Sequence, residues 1–204
     1  VVDAVAHRRL LPAAILPRAC LCLGHDRRAL DVHGRNRERR DDGVERLVQD
    51  ETQAFCSDPA IANSAAGAKR AEEIEAANLA SVKWPADGKF LGDWRAGERV
   101  AQSGRGLTWT DGANQANGGN CYNCHQISLA EISLGTLGPS LHNYGKLKGS
   151  DEQALRDAWA KIYNSKSSNA CSIMPRTGHM GILKEKDIQD LVALLVAPDS
   201  PVNK

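Results

Sequence analysis

Cys121-Tyr122-Asn123-Cys124-His125 is the stretch on which the reading of this 204-residue chain turns. Two thiols two residues apart, followed at once by an imidazole, have the spacing by which a c-type haem is attached and ligated. Each sulfur can form a thioether to one porphyrin vinyl group, and the adjacent histidine can stand under the iron as proximal ligand. A CxxC pair alone would also suit a redox dithiol or half of a zinc site. No second CxxC follows, however, and the histidine directly after Cys124 points to haem. One haem c, carried by Cys121 and Cys124 and ligated by His125, is therefore the expected cofactor.

Composition sets outer bounds. A formal net charge of +1 gives no global attraction to nucleic acid or to an anionic membrane. No run of about 20 apolar residues occurs, so no membrane span is expected. The charges are unevenly spread: the first fifty residues hold arginines from Arg8 to Arg46 and no lysine, whereas lysine is common afterwards. Arg8-Arg9 before Leu10-Leu11-Pro12-Ala13-Ala14-Ile15-Leu16 resembles the start of a secretory signal, and Gly24 to Asp42 shows neither helical nor strand periodicity. Residues 1–50 are read as a leader absent from the mature protein, the alternative being a disordered basic arm.

Cysteine usage agrees with export to the periplasm, where thioether haem is installed in most such systems. Setting aside Cys20 and Cys22 in the leader, Cys56 and Cys171 remain as a pair that an oxidising compartment would let bridge; two separate buried thiols are the alternative. Pro17-Arg18 is a poor approach to lipid attachment at Cys20.

Residues 51–89 read as an N-terminal extension with one short helix, Lys69 to Ser81, whose apolar stripe is limited to Ile74, Ala77 and Leu79. Residues 90–204 read as the domain proper. Asp93 is a candidate N-cap for a helix to Gln102 with small residues on one face, suited to close approach by another helix. The partner is Lys184 to Ala197, where Ile188, Leu191, Val192 and Leu195 recur at helical spacing. A third helix, Asp151 to Tyr163, buries Leu155, Trp159 and Ile162. The fold class is thus all-α: a cytochrome c domain of three main helices around a covalently attached haem. The long connection from Gln126 to Lys148 becomes reasonable when haem replaces much of the core.

The sixth iron position separates an electron carrier from a ligand-binding haem protein. Met174, in Ile173-Met174-Pro175 between two helices, is the main candidate, because the loop can fold over the second haem face and proline stiffens it. Met180 and His179 are the alternatives, and His142 reads as a loop or surface histidine. Pro139, in Gly138-Pro139-Ser140-Leu141, either offers its carbonyl to the free ring NH of the proximal histidine or marks a simple turn.

Several dispersed segments occur together and in order: the haem motif, Gly135-Thr136-Leu137-Gly138-Pro139-Ser140-Leu141, Tyr144-Gly145-Lys146, Ile162-Tyr163-Asn164, Cys171-Ser172-Ile173-Met174-Pro175-Arg176, Gly181-Ile182-Leu183 and the ending Asp199 to Lys204. In these the chain resembles SoxX, the small monohaem cytochrome subunit of the SoxAX complex of bacterial thiosulfate oxidation, over residues 93–204. The resemblance implies His125 and Met174 as axial ligands. It also implies a heterodimer with SoxA that acts as an L-cysteine S-thiosulfotransferase on the SoxYZ carrier. The bond-forming site would lie on SoxA, with no catalytic residue here. This chain would accept the released electrons and pass them to another cytochrome. The competing readings are a freely diffusing periplasmic cytochrome c and a haem enzyme or gas-binding module with a vacant distal position.

Overall fold

The computed structural model describes residues 48–204 apart from 109 and 113. The arginine-rich segment read as a leader, with Cys20 and Cys22, lies outside the described residues save for its last three. Among the described residues there are seven α-helices, two short 3-10 turns and no strand.

The extension begins with α1 (Glu51–Ser57), where the Asp50 carboxylate accepts from Gln53 N at 2.7 Å and the Gln53 side chain returns a bond to Asp50 N. This reciprocal pair satisfies two of the donors a helix start leaves open. Asp58 caps α2 (Pro59–Ala62), with Pro59 at its first turn, and Ser64 caps α3 (Ala65–Ala80). The sequence places the start of α3 at Lys69. The helix begins a turn earlier because Ala65, Ala66 and Ala68 favour helix and Ser64 supplies the cap. Of its expected stripe only Ile74 is buried; Leu79 remains 45% exposed, since α3 packs through its C-terminal polar groups as well as through Ile74.

α4 (Trp94–Gln102) is capped by Asp93, whose carboxylate accepts from Arg95 N at 3.0 Å. It crosses α7 (Glu185–Val196) so closely that a Cβ on Gly97 would run into the Asp190 carbonyl. The small residues of α4 thus do what their spacing predicts. Asp190, itself 4% exposed, accepts from Asp93 N at 2.6 Å and pairs with Lys186, which keeps its buried charge satisfied. α6 (Glu152–Tyr163) contributes Trp159, 1% exposed, whose indole NH donates to Lys83 O at 2.9 Å and whose ring meets Phe90 edge-on. Ile188, Val192 and Leu194 of α7 complete the centre, each burial contributing about 1.5–3 kcal/mol. The short α5 (Tyr144–Lys148) is fastened by Asn203: its Oδ1 accepts from Gly145 N, and its Nδ2 donates to Leu195 O and Ala197 O. No described helix is long and apolar enough to cross a membrane.

Candidate functional site

The motif sits directly after α4 and is moored to it. Gly119 N donates to Val100 O at 2.8 Å and Asn120 N to Ser103 O at 3.0 Å. Asn120 takes a left-handed conformation, φ 50°, and sends the chain into a 3-10 turn over Cys121–Asn123. Cys124 N and His125 N both donate to the Cys121 carbonyl, at 3.1 and 2.9 Å, which brings the two thiols and the imidazole onto one turn of backbone. Neither Cys121 nor Cys124 is in a disulfide. Burial pushes the Cys121 thiol up to about 11, with the nearby Cys124 adding to the rise and a backbone hydrogen bond opposing it.

The loop after the motif folds back on it. Gly135 N donates to Tyr122 O at 3.1 Å, Gly138 N to Cys124 O at 2.7 Å and Leu141 N to Gln126 O at 2.7 Å. Residue 138 lies against the face of His125, where a Cβ would overlap three ring atoms. His125 Nδ1 stands 2.8 Å from the Pro139 carbonyl oxygen. A carbonyl only accepts, so Nδ1 carries the proton and Nε2 is left with its lone pair free. The alternative of a bare turn at Pro139 is therefore replaced by a contact that fixes the imidazole's tautomer.

Met174 lies in the irregular connection between α6 and α7. Its side chain is half-buried against the core, whereas Met180 is 46% exposed and His179 is exposed. The connection hangs on the C-terminal end of α6: Thr177 Oγ1 donates to Ile162 O at 2.6 Å, and Gly178 N and His179 N donate to Tyr163 O at 3.1 and 2.9 Å. These satisfy carbonyls that a helix end leaves without partners. Partial desolvation by its neighbours lowers the pKa of the otherwise exposed His179, and the Arg176 and Lys83 charges add to the effect. Asn117 Nδ2, just before the motif, donates to Ile182 O at 2.8 Å and so joins the approach to the motif with the far end of the methionine connection. His142 differs from a plain surface histidine: it is half-buried, with Nδ1 enclosed and unpartnered.

Cys56 and Cys171 form a disulfide with a Cα separation of 5.4 Å, linking α1 to the residues just before Met174. Sequence reasoning placed Gly138 in the segment beside the motif without its packing on His125, and gave Gly135 and Ser165 no role of their own. Gly138 carried a signal in its position directly before Pro139; Gly135, followed by Thr136, and Ser165, one serine among several after α6, carried none.

A covalently held haem fits these residues. Two free thiols and an imidazole with an available Nε2 would supply attachment and ligation. Leu129, Ile132, Leu134 and Leu137 on the loop after the motif, and Ile173 beside Met174, are exposed apolar side chains of the kind a porphyrin face packs against.

Residues 109–197 match the family model described as Cytochrome c. A protein of Aquifex aeolicus (strain VF5) named "Uncharacterized lipoprotein" is 38% identical over 160 residues, covering 77% of this chain and 74% of that protein.

Proposed function

We propose that this chain, whose cytochrome c domain at residues 109–197 implies an electron-transfer haem protein, serves as the monohaem subunit of a SoxAX-type thiosulfate-oxidising complex. Cys121 and Cys124 hold one haem c, His125 Nε2 and the Met174 sulfur ligate its iron, and the Pro139 carbonyl orients His125. When bound, the haem supplies a one-electron couple, which a histidine and methionine ligand pair sets relatively high.

The observation that carries the reading is the His125 arrangement: a ring tied at Nδ1 to a backbone carbonyl, with Gly138 against its face, which leaves the Nε2 lone pair free. Such a ring has its orientation and tautomer fixed and its Nε2 lone pair free, which supports a role as axial ligand. With Met174 on the other face, no position is open to substrate. Sulfur chemistry then belongs to a SoxA partner acting on SoxYZ, and this chain relays electrons to another cytochrome. The order of the dispersed motifs supports the Sox assignment over a freely diffusing carrier.

The relative's printed name supports a place in the cell envelope, and we assign the protein to the periplasmic side. Two measurements test the function. Purified native protein should show the methionine-to-ferric-iron charge-transfer absorption and resist carbon monoxide when reduced. It should also co-purify with a second, SoxA-like cytochrome; recovery as a monomer alone would favour the free carrier, and ready carbon monoxide binding would favour the open-site module.

A further inference from the structure

We propose that the N-terminal extension holds Met174 in place, with Ser165 as the residue that positions it; the inference rests on Met174 being the sixth ligand. A thioether is a neutral ligand whose bond depends on how firmly its backbone is presented. The connection that carries Met174 has no regular structure of its own between Ser167 and Glu185, so its position must come from what surrounds it.

Two routes run from the extension to this segment. One is polar: Asn164 Nδ2 donates to Asn78 Oδ1 at 2.9 Å and to Ser81 Oγ at 3.1 Å, both at the end of α3. The next residue, Ser165, donates its hydroxyl to the Met174 carbonyl at 2.5 Å. Asn164 and Ser165 are both 0% exposed. The hydroxyl therefore has no water to exchange for the carbonyl, and its removal takes this donor from the part-buried Met174 carbonyl. The other route is covalent, through Cys56–Cys171 from α1.

Flanking bonds repeat the pattern. Ala170 N donates to the Glu75 carboxylate of α3 at 3.0 Å, and Arg176 pairs with Asp50 at 3.2 Å. The extension thus grips the segment before Met174 through Glu75 and Cys56, Asp50 at the foot of α1 holds Arg176 after it, and Ser165, anchored beside the end of α3 through Asn164, holds Met174 itself. A short surface helix with one buried apolar side chain gains a purpose from this: it is a brace for the distal ligand.

The test uses ferric holoprotein, with imidazole as a competitor for the iron. Ser165→Ala should raise imidazole affinity about five- to tenfold, the size of one buried hydrogen bond lost from the ligated state. It should also weaken the methionine charge-transfer absorption. Joint replacement of Cys56→Ser and Cys171→Ser should shift both readouts the same way, and it decides the matter should Ser165→Ala not fold. Ile188→Val, a core change that removes none of these bonds, should lower the melting temperature while leaving imidazole affinity at its wild-type value.

Wild-type imidazole affinity in both extension variants, or an equal rise in Ile188→Val, would overturn the brace. Wild-type protein without the charge-transfer absorption would overturn Met174 as ligand and the brace with it. With the absorption present and affinities unmoved, the brace alone falls.

Discussion

Gly138→Ala tests the proximal side most directly. The backbone at 138 is not in a left-handed conformation, so alanine costs nothing there in φ and ψ; the cost is space. The new methyl would overlap Cε1, Nδ1 and Nε2 of His125. Neither side can retreat freely, because Gly138 N is bonded to Cys124 O at 2.7 Å and His125 Nδ1 to Pro139 O at 2.8 Å. Overpacking of this kind costs about 1–3 kcal/mol, and loss of the ring hydrogen bond adds about 1 kcal/mol. Guanidinium unfolding of the holoprotein should therefore show a loss of about 2–4 kcal/mol. Redox titration gives a second readout with a definite sign. The bond at Nδ1 makes the imidazole a stronger donor and favours ferric iron, so its loss should raise the potential. At about 59 mV per tenfold change for one electron, 1 kcal/mol corresponds to about 40 mV. A variant with stability and potential both unchanged would show that the ring does not rest on residue 138, and the proximal geometry argued above would be wrong.

Other perturbations probe the remaining parts. Met174→Ala should lower the potential and admit carbon monoxide to the reduced iron, while Met180→Ala, at an exposed position, should leave both nearly unchanged; the reverse would reassign the thioether. Replacing Cys56 and Cys171 by serine removes a cross-link between residues 115 apart, for which chain entropy gives about 4.8 kcal/mol; urea unfolding should register a loss of about 3–5 kcal/mol, and a loss under about 1 kcal/mol would refute a structural bridge. Asp111 accepts from the Thr108 hydroxyl and amide and from Gly106 N, and these bonds, with the nearby Arg105, hold its pKa down to about 2 against an opposing push from burial. Its folded value being depressed, the stabilisation is complete above the ordinary carboxylate value of 3.8 and fades as pH falls through about 2. The amide shifts of Gly106 and Thr108 should titrate with that low midpoint, and a midpoint at or above 3.8 would contradict the hydrogen bonding described.

Much of this was legible in the chain because it follows local rules. The three main helices announce themselves through Asp93 and Asp151 as caps and through the periodicity of α6 and α7, and their observed ends fall within a residue of the expected ones. The motif needs no tertiary information either. The short helices α1, α2 and α5 bury no side chain, so no apolar period reveals them; only the caps at Asp50 and Asp58 hint at the first two. What was illegible is long-range and polar. That Asn203 would fasten α5 to the end of α7, or that Asn164 would meet Asn78 and Ser81, depends on where distant backbone comes to lie. Gly138 is an intermediate case: a glycine before proline signals a special position, but the ring it accommodates appears only once the loop has folded back.

The disulfide also bears on how the protein is made. Four described cysteines, Cys56, Cys121, Cys124 and Cys171, admit three complete pairings in an oxidising compartment. Two of these would trap a motif sulfur on a remote part of the chain and block porphyrin attachment. Once Cys56 and Cys171 have joined, the motif sulfurs have only each other among the described cysteines, in a local bond open to thiol reductants. With haem attached as proposed, the bridge would serve maturation as well as architecture, by sequestering two sulfurs able to misdirect cofactor loading.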